Sequence, residues 1–444
     1  MTAEVRPIRT EPKVDSKTAA ETALAAAFAS VKAQLPGGRD VAERREAAFR
    51  RFEAAGLPSG RVEEWKYTDL RALMRDAKPL AEPATARPAL LTETLPGIDV
   101  HRVAIVNGVY APAWSDATAG DPGVTVTELF AWLAANPDYF RSQTPEQPDI
   151  ALALNAAFMT GGVVVQVKKG ATVAKPIHLA HVFAGQSAAA LYPRTIVLVE
   201  PGAHVTLIET WDGPDGLDYQ VNAALTLVVG DGAEVARIKV GRDGDAALHV
   251  ATVTAVVGAK ADYNELTFTT GSAVTRNQLF LRSGGDNARI RVAGASLLKD
   301  RQHVDATLVV DHAARGCESR EVFKSVLDGE SRGVFQGKII VEPHAQKTDG
   351  RMMTRALLLS ETAEADSKPE LEIFADDVQC GHGATAGRLD QSLLFYLMAR
   401  GIPRKQAEAL LIQAFVGEAI DGIAHEGLRE LLTGRVTAWL EARG

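Results

Sequence analysis

Only two cysteines occur in the 444 residues, Cys317 and Cys380, and they form no Cys-x-x-Cys pair. A disulfide framework and a cysteine-rich structural zinc site are therefore excluded, and any thiol chemistry must draw on partners elsewhere in the fold. A basic surplus is missing too. Lys and Arg number 48 against 56 Asp and Glu, a formal charge of -8, so the positive field that a phosphate backbone requires is absent and no nucleic-acid partner is expected. No clean apolar run reaches the length of a membrane span, and Met1–Arg6 lacks the basic-then-apolar order of a secretory signal. The expected location is the cytoplasm, with no membrane partner.

What remains is the balance of an ordinary folded protein, 46% hydrophobic and 23% charged, long enough for two or three domains. From Ser16 to about Ala55 the chain is rich in Ala, Glu and Arg. Leu24, Phe28, Val31 and Leu35 recur there at helical spacing. Pro36-Gly37-Gly38 interrupts this pattern, and a Pro/Ala-rich stretch from Ala77 to Ala89 reads as a linker or exposed loop. A short strand over Val103–Val106 then meets the turn pair Asn107-Gly108. Residues 1–150 are accordingly expected to be a mainly helical region.

Residues 151–388 read as β-structure. Ala224–Val229, Thr252–Val257 and Arg289–Val292 alternate with period two and are rich in β-formers. Gly170-Ala-Thr-Val173, Gly202-Ala-His-Val205, Gly232-Ala-Glu-Val235 and Gly258-Ala-Lys-Ala261 repeat at roughly 26 to 32 residues, and Gly285 continues the rhythm. Such a period predicts a solenoid, in which each rung buries its apolar face only by stacking on the next. A β-sandwich with glycine turns is the alternative. Residues 389–444 return to helix. Leu393, Leu394, Leu397 and Met398 form one stripe and Leu410, Leu411, Phe415 and Ile420 another, with Gly401-Ile-Pro403 between them and a further helix near Leu428–Leu440. Helices at both chain ends are expected to cover the open ends of the solenoid.

Two loop-like motifs fail as nucleotide sites. Gly333-Val-Phe-Gln-Gly337-Lys338-Ile339 is one residue short for a phosphate loop and has Ile where the magnesium-binding Ser/Thr belongs; it reads as a strand turn. Gly381-His-Gly383-Ala-Thr-Ala-Gly387 has its third glycine displaced from the dinucleotide fingerprint. His303, Asp305, Asp311 and His312 are possible metal ligands by type, though polar strand residues ordinarily face solvent. The densest chemistry lies in Glu372–Thr385. There Cys380 and His382, two residues apart among glycines, fit either an iron site or a buried thiol beside a hydrogen-bonded imidazole.

Ser331-Arg-Gly-Val-Phe-Gln-Gly-Lys338, Leu357-Leu-Leu-Ser-Glu-Thr-Ala-Glu-Ala-Asp366 running on to Ile373, and Ala375-Asp-Asp-Val-Gln-Cys-Gly-His-Gly-Ala-Thr385 closely resemble the SufB/SufD family of iron–sulfur cluster assembly proteins. Leu394-Phe-Tyr396, Gly401-Ile-Pro403 and, upstream, Glu64-Trp-Lys-Tyr-Thr68 extend the resemblance, which is weak in the β-region. It implies a right-handed parallel β-helix flanked by helical regions, and a non-catalytic scaffold. The β-helix would pair with a SufB-type subunit. The C-terminal helices would carry a SufC-type ATPase through Leu393, Phe395, Tyr396 and Phe415, and a cysteine desulfurase would act indirectly. His382, with Cys380 as accessory, is the implied ligand of transient iron or a nascent cluster shared with SufB. The SufB pattern has a cysteine just before the Leu-Leu run and two glutamates flanking the histidine. This chain has Thr354-Arg355-Ala356 and Gly381/Gly383 in those places, which favours the SufD branch over SufB. A stand-alone β-helix enzyme acting on carbohydrate remains the alternative of another class, and would require aligned acidic residues on successive rungs.

Overall fold

The computed structural model describes residues 17–116, 121–139 and 149–443; residues 1–16, with the Met1–Arg6 start and Ser16, lie outside them. From His101 onward the chain alternates between two sheets, each of ten strands. Sheet I begins with an antiparallel pair, His101–Val106 and Val109–Tyr110, and continues in parallel through Ile177–Val182 to Gln379–Gly387. Sheet II begins with Val124–Glu128 antiparallel to Gly161–Val167 and continues in parallel to Glu364–Ile373. This is a parallel β-helix, as the repeat predicts. Strands also enter the region up to residue 150, where the pattern points mainly to helix.

Register is continuous from rung to rung. His204, Glu234, Asp262, Arg289, Glu318, Asp349 and Gln379 form one column of sheet I. Alternate side chains point inward, where Val205, Val235, Tyr263 and Ile290 stack against Leu227, Val257, Leu281 and Val310 of sheet II. Each rung thus gains its apolar contacts from the next. A polar interior layer is also present: Arg237 bridges Glu209 and Glu265, and Lys239 donates to Asn277 at 2.6 Å. Burial opposes ionisation there, but Arg237 and Lys239 hold the Glu209 carboxyl down to about 2.

The repeated turn has a physical centre that differs from its apparent motif. Gly170, Gly202 and Gly232 are left-handed, with φ between 64° and 69°, and each is followed by a small residue. In the next two turns the left-handed residue is Lys260 and then Asn287, whose amides donate to Asp286 and Arg315 as Gly232 donates to Ala259. Gly258 therefore precedes the slot by two residues, and Gly285 lies against Ala259 instead of continuing the Gly232 column. The residue after the slot points inward: Ala203, Ala233, Ala261, Ala288 and then Cys317, all fully buried. Cys317 is thus a core residue in an alanine position.

Both helical regions flank the β-helix instead of capping its far end. Helices Arg404–Ile420 and Glu426–Ala442 lie on the outer face of sheet I, where Ile412, Val416, Leu428 and Leu432 meet Val240, Phe268, Leu297 and Val326. The buried stripe of the first of these is Ile412, Val416, Ala419 and Ile420, one position away from the expected Leu411 and Phe415. Helices Ala19–Val31, Arg39–Ala55 and Ile150–Phe158 pack against Leu248 and Val250 on the outer face of sheet II. The Pro/Ala-rich stretch is tied down at Leu80, which bridges to Ala190.

Glu64-Trp-Lys-Tyr-Thr68 lies along the outer face of sheet II. The Arg276 guanidinium sits 4.0 Å from the Trp65 ring centroid and donates to the Glu64 carbonyl, Thr68 donates to Asp305, and Lys368 of the last rung pairs with Glu63. Gly333–Ile339, expected at a turn, falls inside the strand Arg332–Val341; a Cβ at Gly337 would stand 2.4 Å from the Met352 sulfur, so that glycine serves packing.

Candidate functional site

The far end of the β-helix is open. Its last strands, Glu364–Ile373 in sheet II and Gln379–Gly387 in sheet I, are edges with a neighbour on one side only. Ile373 and Phe374 stand exposed there. Cys380 and His382 both lie on Gln379–Gly387, and strand alternation gives them the same face. That face is the inward one, since Cys380 packs against the interior core. Gly381 and Gly383 are on the opposite face, so the glycines clear space outside the sheet and not beside His382. The residue that makes room beside Cys380 is Gly350, its register partner.

Two inward columns meet here. Ser319, Gly350 and Cys380 form one; Glu321, Met352 and His382 form the other. Cys380 is half-buried, and burial pushes its thiol up. His382 is exposed at the open rung. Two rungs deeper, Glu321 is almost completely buried, and neither carboxyl oxygen makes a hydrogen bond of ordinary geometry, the Ser319 hydroxyl and its own backbone amide offering only weak contacts. Burial outweighs nearby Ser319 and Arg320 and pushes its carboxyl up to about 8. Glu321 carries no signal in the sequence: it sits three residues from the exposed Glu318 in the same strand, and only the register reveals which of them points inward.

The other candidate ligands are not brought together. His303 and Asp305 face outward beneath the Glu64–Thr68 strap, with Thr68 Oγ1 2.9 Å from His303 Nε2. Asp311 pairs with Arg282. His312 is buried, its Nε2 2.9 Å from Ser319 Oγ, and burial lowers its imidazole to about 4. Among the described residues, no three His, Cys, Asp or Glu side chains converge to hold a metal ion as they stand. Cys380 and His382 supply two donors, fewer than the four an iron–sulfur cube takes, so a cluster held here needs ligands from another chain.

The outer column of sheet I aligns Glu234 with Asp262 and Glu318 with Asp349, interrupted by Arg289, but Asp262 and Asp349 are not the free carboxylates that a carbohydrate-active β-helix uses. Arg289 and Arg291 both bond Asp262, and Arg320 and Arg351 both bond Asp349, so these acids are neutralised pairwise. Of the four apolar residues expected at a partner interface, Leu393, Phe395 and Tyr396 are exposed on the helix Gln391–Ala399. Phe415 instead turns toward the β-helix, with the Lys324 ammonium 4.5 Å from its ring centroid. Among the described residues no helix is long and apolar enough to cross a membrane.

Comparison with known proteins agrees with this architecture. The family described as "SUF system FeS cluster assembly, SufBD core domain" matches residues 181–415, and the "SufBD protein N-terminal region" matches residues 38–179. The iron-sulfur cluster assembly protein SufD of Escherichia coli (strain K12) is 32% identical over 388 residues, covering 86% of this chain and 89% of the relative. A SufBD family protein of Synechocystis is 29% identical over 409 residues, 88% of this chain and 90% of the relative. SufD of Bacillus subtilis is 26% identical over 329 residues, 70% of this chain and 73% of the relative. Matched through its β-helix and its N-terminal region alike, the chain belongs to the SufBD family of SUF-system iron–sulfur cluster assembly proteins.

Proposed function

We propose that this chain is a SufD-type scaffold subunit that pairs with a SufB-type subunit through its open rung and carries a SufC-type ATPase on its C-terminal helices. It supports iron acquisition and cluster assembly without catalysing a reaction itself. The observation that carries this reading is the contrast between the two edge strands. Glu364–Ile373 bears Glu364, Asp366, Lys368, Pro369, Glu370 and Glu372, the charges and proline that blunt an edge against further pairing. Gln379–Gly387 has no such guard: it is nine residues without Asp, Glu, Lys, Arg or Pro, and it carries Cys380 and His382. An unguarded edge next to exposed Phe374 favours strand addition by another β-rich chain. A partner paired there would face both donors and complete the ligand set.

The exposed Leu393, Phe395 and Tyr396 supply the apolar anchors for a second partner. Three residues separate their helix from the donor strand, with Asp390 capping it through the amides of Ser392 and Leu393. A partner on this helix therefore sits three residues from the strand bearing His382. The departure from the SufB pattern at Thr354–Ala356 and at Gly381 and Gly383 favours the SufD role. Iron and sulfur are cargo here, the sulfur coming indirectly from a cysteine desulfurase, and the cluster is transient.

The test is the assembled complex, wild type against His382→Ala, assayed anaerobically for bound iron and sulfide together with subunit binding and thermal stability. Because His382 is exposed, the variant is expected to lose cluster while keeping stability and partners. Loss of subunit binding in step with cluster would make the residue structural, and unchanged cluster content would remove it from the site.

A further inference from the structure

The inward column of sheet I that holds Glu321 carries the paired Arg237 and Glu265, then Val292, and changes character again over its last three rungs. Ile290 and Val292 occupy the two inward columns before Ser319 and Glu321 replace them, followed by Gly350 and Met352, then Cys380 and His382. Beyond this one apolar rung the two columns carry a carboxyl, a thioether, a thiol and an imidazole, and Glu321 has no inward guanidinium as Glu265 has in Arg237. At a strand spacing of about 4.8 Å, Glu321 and His382 are roughly 10 Å apart along the backbone, with Met352 between them.

Glu321 is 1% exposed and neither of its oxygens makes a hydrogen bond of ordinary geometry, and the buried His312 beside Ser319 has a ring nitrogen in the same condition. Burying a polar group without a hydrogen bond is costly, and such a group in a native fold marks stored strain, a chemical role, or the place of an ion or water. Packing does not account for it, because the preceding rung fills the same column with Val292. Carboxylate, imidazole and thiolate are together a donor set for first-row divalent ions, and thioether adds a soft contact.

We infer that Glu321 is an inner anchoring donor for a divalent cation of the Fe²⁺ class, which enters between Cys380 and His382 and passes Met352 to reach it. The inference rests on the reading of Cys380 and His382 as the metal-facing pair and adds where the ion goes next. Since no three His, Cys, Asp or Glu side chains converge among the described residues, the ion is handed along a column and not gripped by a ready-made cage. An exchangeable hold of this kind suits an ion that is cargo.

The test uses the purified full chain under anaerobic conditions, titrated with Co²⁺ as a spectroscopic stand-in and with Fe²⁺. Glu321→Gln, which keeps the side-chain shape, is expected to weaken Co²⁺ binding at least about tenfold. Cys380→Ser is expected to remove the thiolate-to-cobalt absorption. Glu321→Asp, which retains the carboxylate, is expected to bind more tightly than Glu321→Gln, which separates a donor role from a disturbed fold. Cobalt binding by Glu321→Gln equal to the wild type, or no cobalt uptake by the wild-type chain, overturns the inference. Failure of the His382→Ala cluster assay alongside Glu321-dependent cobalt binding would instead leave the cation site standing and remove its assignment to cluster assembly.

Discussion

Replacing Glu321 by Gln should stabilise the free chain, and increasingly so as pH rises. The carboxyl is pushed up from an ordinary 4.5 to about 8 by burial, so below the lower value it is neutral in both folded and unfolded chains and costs nothing extra. Between the two values the unfolded chain releases the proton while the folded chain keeps it. Folding then binds a proton, and stability falls by about 1.4 kcal/mol for each pH unit. At about pH 7.5 the accumulated cost is roughly 4 kcal/mol, and above the folded value it levels off. Gln cannot ionise, and any cost of burying its amide does not vary with pH. The difference between the two proteins therefore isolates the carboxyl. Urea midpoints measured side by side without metal, from about pH 5 to about pH 8, should diverge in favour of the variant by at least about 2 kcal/mol. A difference that stays flat across this range, or favours the wild type at high pH, would refute the buried and unpartnered placement of Glu321. A residue that weakens the fold while serving a site is the usual form of a stability–function trade-off.

The left-handed slot of the turn column makes Lys260→Gly stabilising by about 0.5–1 kcal/mol, because a side chain at positive φ is strained, and Gly232→Ala destabilising by about 1 kcal/mol or more for the converse reason. Paired thermal melts of the two variants check both signs. Phe395→Glu and Tyr396→Glu should abolish capture of the ATPase partner while leaving the melting temperature of the free chain unchanged, since these side chains are 73% and 53% exposed. A lowered melting temperature would show that they pack within the fold.

What was legible in the sequence was local or periodic. Alternating Val, Thr and Leu marked the strands, the turn spacing marked stacking, and the wider stripes marked the helical ends, because period and turn chemistry are written over a few residues at a time. The shared face of Cys380 and His382 follows from a spacing of two on a strand. Which face that is, and what it meets, could not be read, because register depends on the length of every intervening turn. The turn after Ser283 is one residue longer than the turn after Val257, which moves the left-handed slot from the third turn residue, Lys260, to the fourth, Asn287. The same accumulation of turn lengths sets Glu321 under Met352 and His382, and points Glu321 inward while Glu318 faces out. Where the C-terminal helices lie was decided by matching apolar faces: Val240, Phe268 and Leu297 on the outside of sheet I are buried by Ile412, Val416, Leu428 and Leu432. The last rung was thereby left uncovered, and only the assembled fold brings its unguarded edge, its two donors and the buried carboxyl behind them to one end of the molecule.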